Sequence, residues 1–172
     1  MNRIRPFIGG ELIKVMTGIR RSGKSVMLEL IKEELAEAGV APSQMISINF
    51  EDMRYSHLQT ATALHDEIIK RAEGIEGKAY LFFDEIQEVE GWEKCVNSLR
   101  VALDCDIYIT GSNAKLLSGE LATYIGGRYV EFVIYPFSFA EFLELYHTIA
   151  PSDSIQQLSL IHISEPTRHA QI

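Results

Sequence analysis

The stretch Gly18-Ile-Arg-Arg-Ser-Gly-Lys-Ser25 decides how this chain is read. It fills every fixed position of the pattern G-x-x-x-x-G-K-[ST]. Its neighbours supply the context that pattern needs: the strand-like Leu12-Ile-Lys-Val-Met-Thr17 runs into it, and a helical pattern from Lys24 to Ala38 runs out of it. Glycines let the backbone curl so that its N–H groups point inward, and the start of the helix adds its own free N–H groups and dipole there. The stretch reads as a P-loop, a phosphate cradle formed by Gly18, Ile19, Arg20, Arg21, Ser22, Gly23, Lys24, Ser25 and Val26. Lys24 would reach the β- and γ-phosphates, and the Ser25 hydroxyl would ligate Mg²⁺. Arg20 and Arg21 have two readings, as charges that steer nucleotide in or as solvated loop residues.

Working outward, strand-like and helix-like segments alternate, the signature of a parallel α/β sheet. The first helix stops at Gly39, with Pro42 just beyond. Met45–Phe50 alternates like a strand, and residues 61–72 repeat like a helix. Tyr80-Leu-Phe-Phe-Asp84 is an apolar run closed by an acid, as expected of a strand buried on both faces. Trp92, Cys95, Val96, Leu99 and Leu103 form a helical stripe. Ile107–Gly111 and Tyr129–Ile134 are further strands, and Pro136 precedes an aromatic helix containing Phe139, Phe142, Leu143 and Tyr146. The expectation is an α/β P-loop fold: a central, mostly parallel five-stranded sheet flanked by helices.

Three more positions carry chemistry. Asp84, at the carboxyl edge of a buried strand, would hold the Mg²⁺ shell alongside Ser25, and Glu85 after it would polarise an attacking water. Alone, such an Asp-Glu pair mostly marks a strand end; downstream of a P-loop it becomes specific. Thr110-Gly-Ser-Asn113 closes the next strand, and Asn113 would place an amide near the γ-phosphate, with Ser112 and Thr110 behind it. The alternative is that Asn113 caps a helix over 114–118. Arg128, after Gly126 and Gly127, is either a finger acting on a neighbouring copy's site or a surface arginine paired with an acid.

Composition sets the outer bounds. Across 172 residues, 47% apolar and 23% charged usage excludes a disordered chain, a collagen-like repeat and a disulfide scaffold. No apolar run approaches the ~20 residues of a membrane span. The start Met1-Asn-Arg-Ile-Arg-Pro6 carries no apolar signal core. A net charge of −8 repels phosphate backbones and argues against autonomous nucleic-acid binding. Only two cysteines occur, Cys95 and Cys105, outside any C-x-x-C spacing, and the histidines have no metal-ligand spacing. The expected compartment is cytoplasmic.

In this order, Thr17–Ser25, Phe82-Phe-Asp-Glu-Ile-Gln87 with Gly91-Trp-Glu93, Thr110–Asn113, and Gly127-Arg128 with Tyr135-Pro-Phe-Ser-Phe139 resemble a family. It is the prokaryotic AAA-type ATPases, in which an ATPase domain precedes a C-terminal domain of unknown function. The resemblance covers roughly residues 3–147. It implies an ATPase with Glu85 as the catalytic glutamate beside the metal-binding Asp84, and Asn113 as polar sensor. It also implies a further strand between the P-loop strand and the Asp84 strand, while leaving the client, and a homo-oligomer or protein partner, open. ATP is preferred over GTP because no N-K-x-D motif occurs. The competing reading is a nucleotide-dependent switch with little turnover, coupled to a protein or DNA partner through a region beyond this chain.

Two departures from the family are expected to matter. Neither its C-terminal domain nor a helical lid follows Tyr146 here. Leu158-Ser-Leu-Ile-His-Ile-Ser-Glu-Pro-Thr-Arg168 resembles the in-frame translation of a transposon-end adapter used in sequencing libraries. The expected organisation is therefore an ATPase domain over 1–147, the start of a following segment over 148–157, and a non-native tail over 158–172. That tail holds one acid, Glu165, and one base, Arg168, so the charge of −8 does not depend on it.

Overall fold

The computed structural model describes residues 3–112 and 125–136, together with Leu116, Ser138 and Glu141. The chain divides into two units, Met1–Pro136 and Phe137–Ile172. In the first, β1 (Ile13–Thr17), α1 (Lys24–Glu37), β2 (Met45–Asn49) and α2 (Ala61–Ala72) are followed by β3 (Ala79–Asp84), α3 (Trp92–Ala102), β4 (Cys105–Gly111) and β5 (Tyr129–Val133). The strands form one five-stranded sheet in the order β2-β3-β4-β1-β5, every neighbouring pair parallel. β4 thus lies between the P-loop strand and the Asp84 strand, as the resemblance implied.

Burial explains the order. All residues of β1 and β4 are buried, whereas β2 alternates between buried and exposed and β5 stays only partly covered. The strands buried along their whole length take the middle, and the partly exposed ones take the edges. Period-two geometry then sends Met16, Phe82 and Tyr108 to one face, against Leu28, Ile31 and Leu35 of α1. Val15, Leu81, Phe83, Ile107 and Ile109 face the other way, against α2 and α3 through Leu64, Ile68, Trp92, Val96 and Leu99. α1 stops where Gly39 turns left-handed at φ 91°, and the N–H of Val40 closes back on Leu35 O at 3.0 Å.

β4 starts at Cys105, two residues before the apolar run that marks it in the sequence. The intervening Asp106 is fully buried, because Lys14 on β1, itself fully buried, donates to its Oδ1. Asp106 Oδ2 accepts from Gly9 N at 2.7 Å and from the Tyr108 hydroxyl at 2.7 Å, and Lys14 Nζ also donates to Gly10 O at 3.0 Å. The cluster therefore fastens the N-terminal segment to the amino ends of β1 and β4. Burial holds the Lys14 ammonium below its ordinary pKa, against the upward pull of Asp106, and pushes the Tyr108 phenol well above its own.

In the second unit, Ser138 and Glu141 form a reciprocal cap. Glu141 Oε2 accepts from Ser138 N and Oγ, both at 2.8 Å, and Glu141 N donates to Ser138 Oγ at 3.3 Å. These bonds hold the Glu141 carboxyl below its usual range. The other positions of the expected aromatic helix, and the tail over 158–172, lie outside the described residues.

Candidate functional site

The loop leaving β1 is shaped by what its glycines make room for. A Cβ on Gly18 would lie 2.3 Å from the backbone oxygen of Ile134 and 2.6 Å from Ser22 Oγ, so the segment after β5 packs directly on the loop. That segment is pinned by Ile134 N donating to Thr17 O at 2.7 Å. Gly23, at φ 96°, turns the chain left-handed into α1. No side chain caps α1, and no acid occupies its first turn, so its leading N–H groups stay available to an anion. α2, by contrast, has its N-terminus closed by Thr60 Oγ1 on Ala63 N.

A cavity of about 390 Å³ opens over this N-terminus, lined by Arg20, Arg21, Gly23, Lys24, Ser25 and Val26 together with Glu51 and Glu85. Among the described residues, the non-glycine positions with positive φ are Arg21 at 66° and Glu85 at 56°, and both line this cavity. Each such residue costs about 1–2 kcal/mol of backbone strain, which collects at functional sites. Arg20 is exposed and stands 3.6 Å from Glu51, a surface pair of little energetic weight. Lys24 is 95% buried; its Nζ contacts Gly18 O at 3.4 Å, Ile19 O at 3.3 Å and Glu85 Oε1 at 3.4 Å.

Glu85 reaches the cavity from the end of β3, with Asp84 just before it and β4 between them and the loop. Asp84 is buried at the end of β3, and Thr110 of β4 donates its hydroxyl hydrogen to Asp84 Oδ1. The same Thr110 oxygen accepts from Glu85 N at 3.0 Å, so one hydroxyl ties both acids to the neighbouring strand. Gln87 Nε2 donates to Glu85 Oε2 at 2.5 Å. Gly111, beside Thr110, leaves space for that glutamine: a Cβ there would fall 2.1 Å from Gln87 Oε1.

The structure brings together Gly18 to Val26, Asp84 and Glu85 at one sheet edge. Arg128 is elsewhere. It precedes β5 at the amino end of the sheet, accepts from Ile13 N through its backbone oxygen, and donates from Nη1 to Asn97 Oδ1 at 3.1 Å. The length of β1, about 16 Å, separates that end from the loop. Asn113 lies outside the described residues. Thr110 bonds both acids, and Glu51 and Gln87 were given no role by sequence reasoning. Gln87 did have a signal, two positions after Glu85 in the quoted motif; Glu51 had none beyond its charge.

The donor set suits Mg²⁺. A hard cation of this size takes oxygen ligands, commonly one or two carboxylates completed by phosphate and water. The exposed Ser25 hydroxyl and the Asp84 carboxylate supply such oxygens. Among the described residues no group of three or more His, Cys, Asp or Glu gathers as a protein-only metal cage.

A family model described as an AAA domain matches residues 11–143. The chain belongs to the AAA domain family. That membership makes it a nucleotide-binding, ATPase-like module. An uncharacterized protein of Haemophilus influenzae is 44% identical over 158 residues, covering 92% of this chain and 40% of that protein. An uncharacterized protein of Methanocaldococcus jannaschii is 37% identical over 156 residues, covering 86% of this chain and 33% of its own. This AAA domain thus spans less than half the length of the curated relatives it matches. A chain of the E. coli MS115-1 HORMA:CdnC:Trip13 complex superposes with a TM-score of 0.60, covering 96% of this chain and 64% of that one at 14% identity. At that identity the likeness is one of fold. No helix among the described residues is long and apolar enough to cross a membrane.

Proposed function

We propose that this AAA domain binds ATP with Mg²⁺ and hydrolyses it, as one module of a longer protein. The observation that carries the reading is the convergence of an uncapped helix N-terminus, the buried Lys24 and Glu85 on one cavity, with Asp84 tied to Glu85 through the Thr110 hydroxyl. The loop N–H groups and Lys24 bind the phosphates, and Ser25 and Asp84 hold the metal. Mg²⁺ would neutralise charge developing on the β- and γ-phosphate oxygens. Glu85 orients a water and takes its proton as the water oxygen bonds to the γ-phosphorus. The bond from that phosphorus to the bridging oxygen breaks, and its electron pair leaves with ADP. Asn113 as polar sensor and Arg128 as a finger acting on a second copy complete the proposed set.

A second reading is favoured by how much of the relatives lies beyond this chain. It is a nucleotide-dependent switch with little turnover, coupled through that region to a protein or DNA partner. One experiment separates the two. Phosphate release and nucleotide binding are measured on the wild type, Lys24→Ala and Glu85→Gln, each with Mg²⁺ and with a chelator. The ATPase reading expects Lys24→Ala to lose binding, and Glu85→Gln to bind yet release phosphate about 10²–10⁴-fold more slowly. Binding without release in the wild type selects the switch. No binding at all overturns both.

A further inference from the structure

The Glu85 carboxylate is held at both oxygens, and the two holds differ in kind. Lys24 Nζ lies 3.4 Å from Oε1, and Gln87 Nε2 donates to Oε2 at 2.5 Å. Lys24 belongs to the phosphate loop, where a triphosphate presents a stronger competing anion. Gln87 does not. It lies in the 3-10 turn Ile86–Glu88, directly after the left-handed Glu85 at φ 56° and ψ 47°.

The other end of the glutamine amide shows that this contact is built in. Gln87 Oε1 is buried with no hydrogen-bond partner, pressed against Gly111 where any side chain would collide with it. An orphaned buried oxygen is unfavourable and calls for an explanation. Turning the amide over would set its oxygen against a carboxylate oxygen, so the donor end faces Glu85. Glu85 N is fixed at the same time by Thr110 Oγ1, which leaves the carboxylate little freedom except at Oε1.

We propose that Gln87 is the positioning residue for Glu85. When the phosphates of ATP draw Lys24 away, Oε1 is freed to take the proton of the attacking water, while the Gln87 amide keeps the carboxylate aimed through Oε2. Lys24 thus masks the base until substrate arrives, and Gln87 preserves its geometry once the mask is lifted. This inference rests on Glu85 being the base. A misplacement of about 1 Å at such a group is enough for a hundredfold loss of rate.

The test uses the whole 172-residue chain and single-turnover phosphate release, with nucleotide affinity from a fluorescent ATP analogue and melting curves as a folding control. Gln87→Met keeps the bulk without the donor, and Gln87→Glu keeps the shape and replaces the donor with an acceptor. Both are expected to slow release roughly 10–100-fold while KM and the nucleotide Kd stay within about threefold. In the Glu85→Gln background, Gln87→Met is expected to cause no further loss beyond about twofold, because its effect runs through the carboxylate. Wild-type rates in both Gln87 variants overturn the inference, as does a loss of equal size in the Glu85→Gln background or a rise in Kd that accounts for the slowing. Should Gln87→Met melt early, Gln87→Glu decides by the same criteria. A wild type that binds ATP without releasing phosphate overturns the ATPase reading and this inference together. A wild type that turns over, with Glu85→Gln inactive and both Gln87 variants at full speed, overturns this inference alone.

Discussion

At Gly18 the added methyl of an alanine would meet the backbone oxygen of Ile134 at 2.3 Å, and backbone cannot swing aside as a long side chain does. Gly18→Ala must therefore separate β1's loop from the segment after β5. The expected outcome is a stability loss of about 1–3 kcal/mol in urea titration, with ATP-analogue affinity falling tenfold or more. Thr110 is tuned by hydrogen bonding rather than by space. Thr110→Val keeps the shape but removes the hydroxyl that gives its hydrogen to Asp84 and receives the N–H of Glu85. Bonds of this charge-assisted kind contribute about 1.5–3 kcal/mol, so phosphate release is expected to slow roughly 10–100-fold with the fold retained by circular dichroism. The residue types at this site were legible in the sequence, down to the Asp-Glu pair and the lysine. Which hydroxyl serves them was not, because Thr110 is 25 and 26 positions away from the groups it bonds.

At the scale of elements, β1 and β4 are joined by more than their ladder. Lys14 and Asp106 sit opposite the site, at the amino ends of these strands, both fully buried. Removing one charge strands the other, so Asp106→Asn is expected to destabilise the protein by about 3–5 kcal/mol in urea denaturation. Replacing both, as in Lys14→Met with Asp106→Leu, should recover only part of that loss, because the Gly9 N–H and the buried Tyr108 hydroxyl lose the acceptor they share. Cys95 on α3 and Cys105 on β4 report the same packing. Burial pushes their thiols from 9.0 up to about 12 and about 11. A raised thiol pKa stabilises the fold below pH 9.0, and that contribution is lost as pH climbs through 11 to 12. At pH 8 neither thiol is expected to react with a disulfide reagent until urea is added, and then both should react. Sequence periodicity placed these elements within a residue or two, except where charge misled it. Asp106 reads as a loop residue, and only a lysine from another strand makes it a strand residue.

For the whole molecule, the decisive fact is that β4 stands between β1 and β3 in a parallel sheet. That order delivers the ends of three strands to one edge and leaves Arg128 at the opposite edge of its own chain. If Arg128 serves a second copy, mixing Arg128→Ala with Lys24→Ala protein should restore release that neither variant gives alone, since an arginine finger is worth roughly 10³-fold or more. By itself the sequence determined the glycine-rich loop between β1 and α1, the acid pair and the run of strands and helices, because glycine placement, capping and hydrophobic period act over a few neighbouring residues. Only the tertiary structure decided that Thr110 grips both acids, that Gln87 holds Glu85 against Gly111, and that Lys14 meets Asp106. Those meetings depend on which strands pair and in which register, and that is settled by burying whole strand faces together rather than by any local pattern.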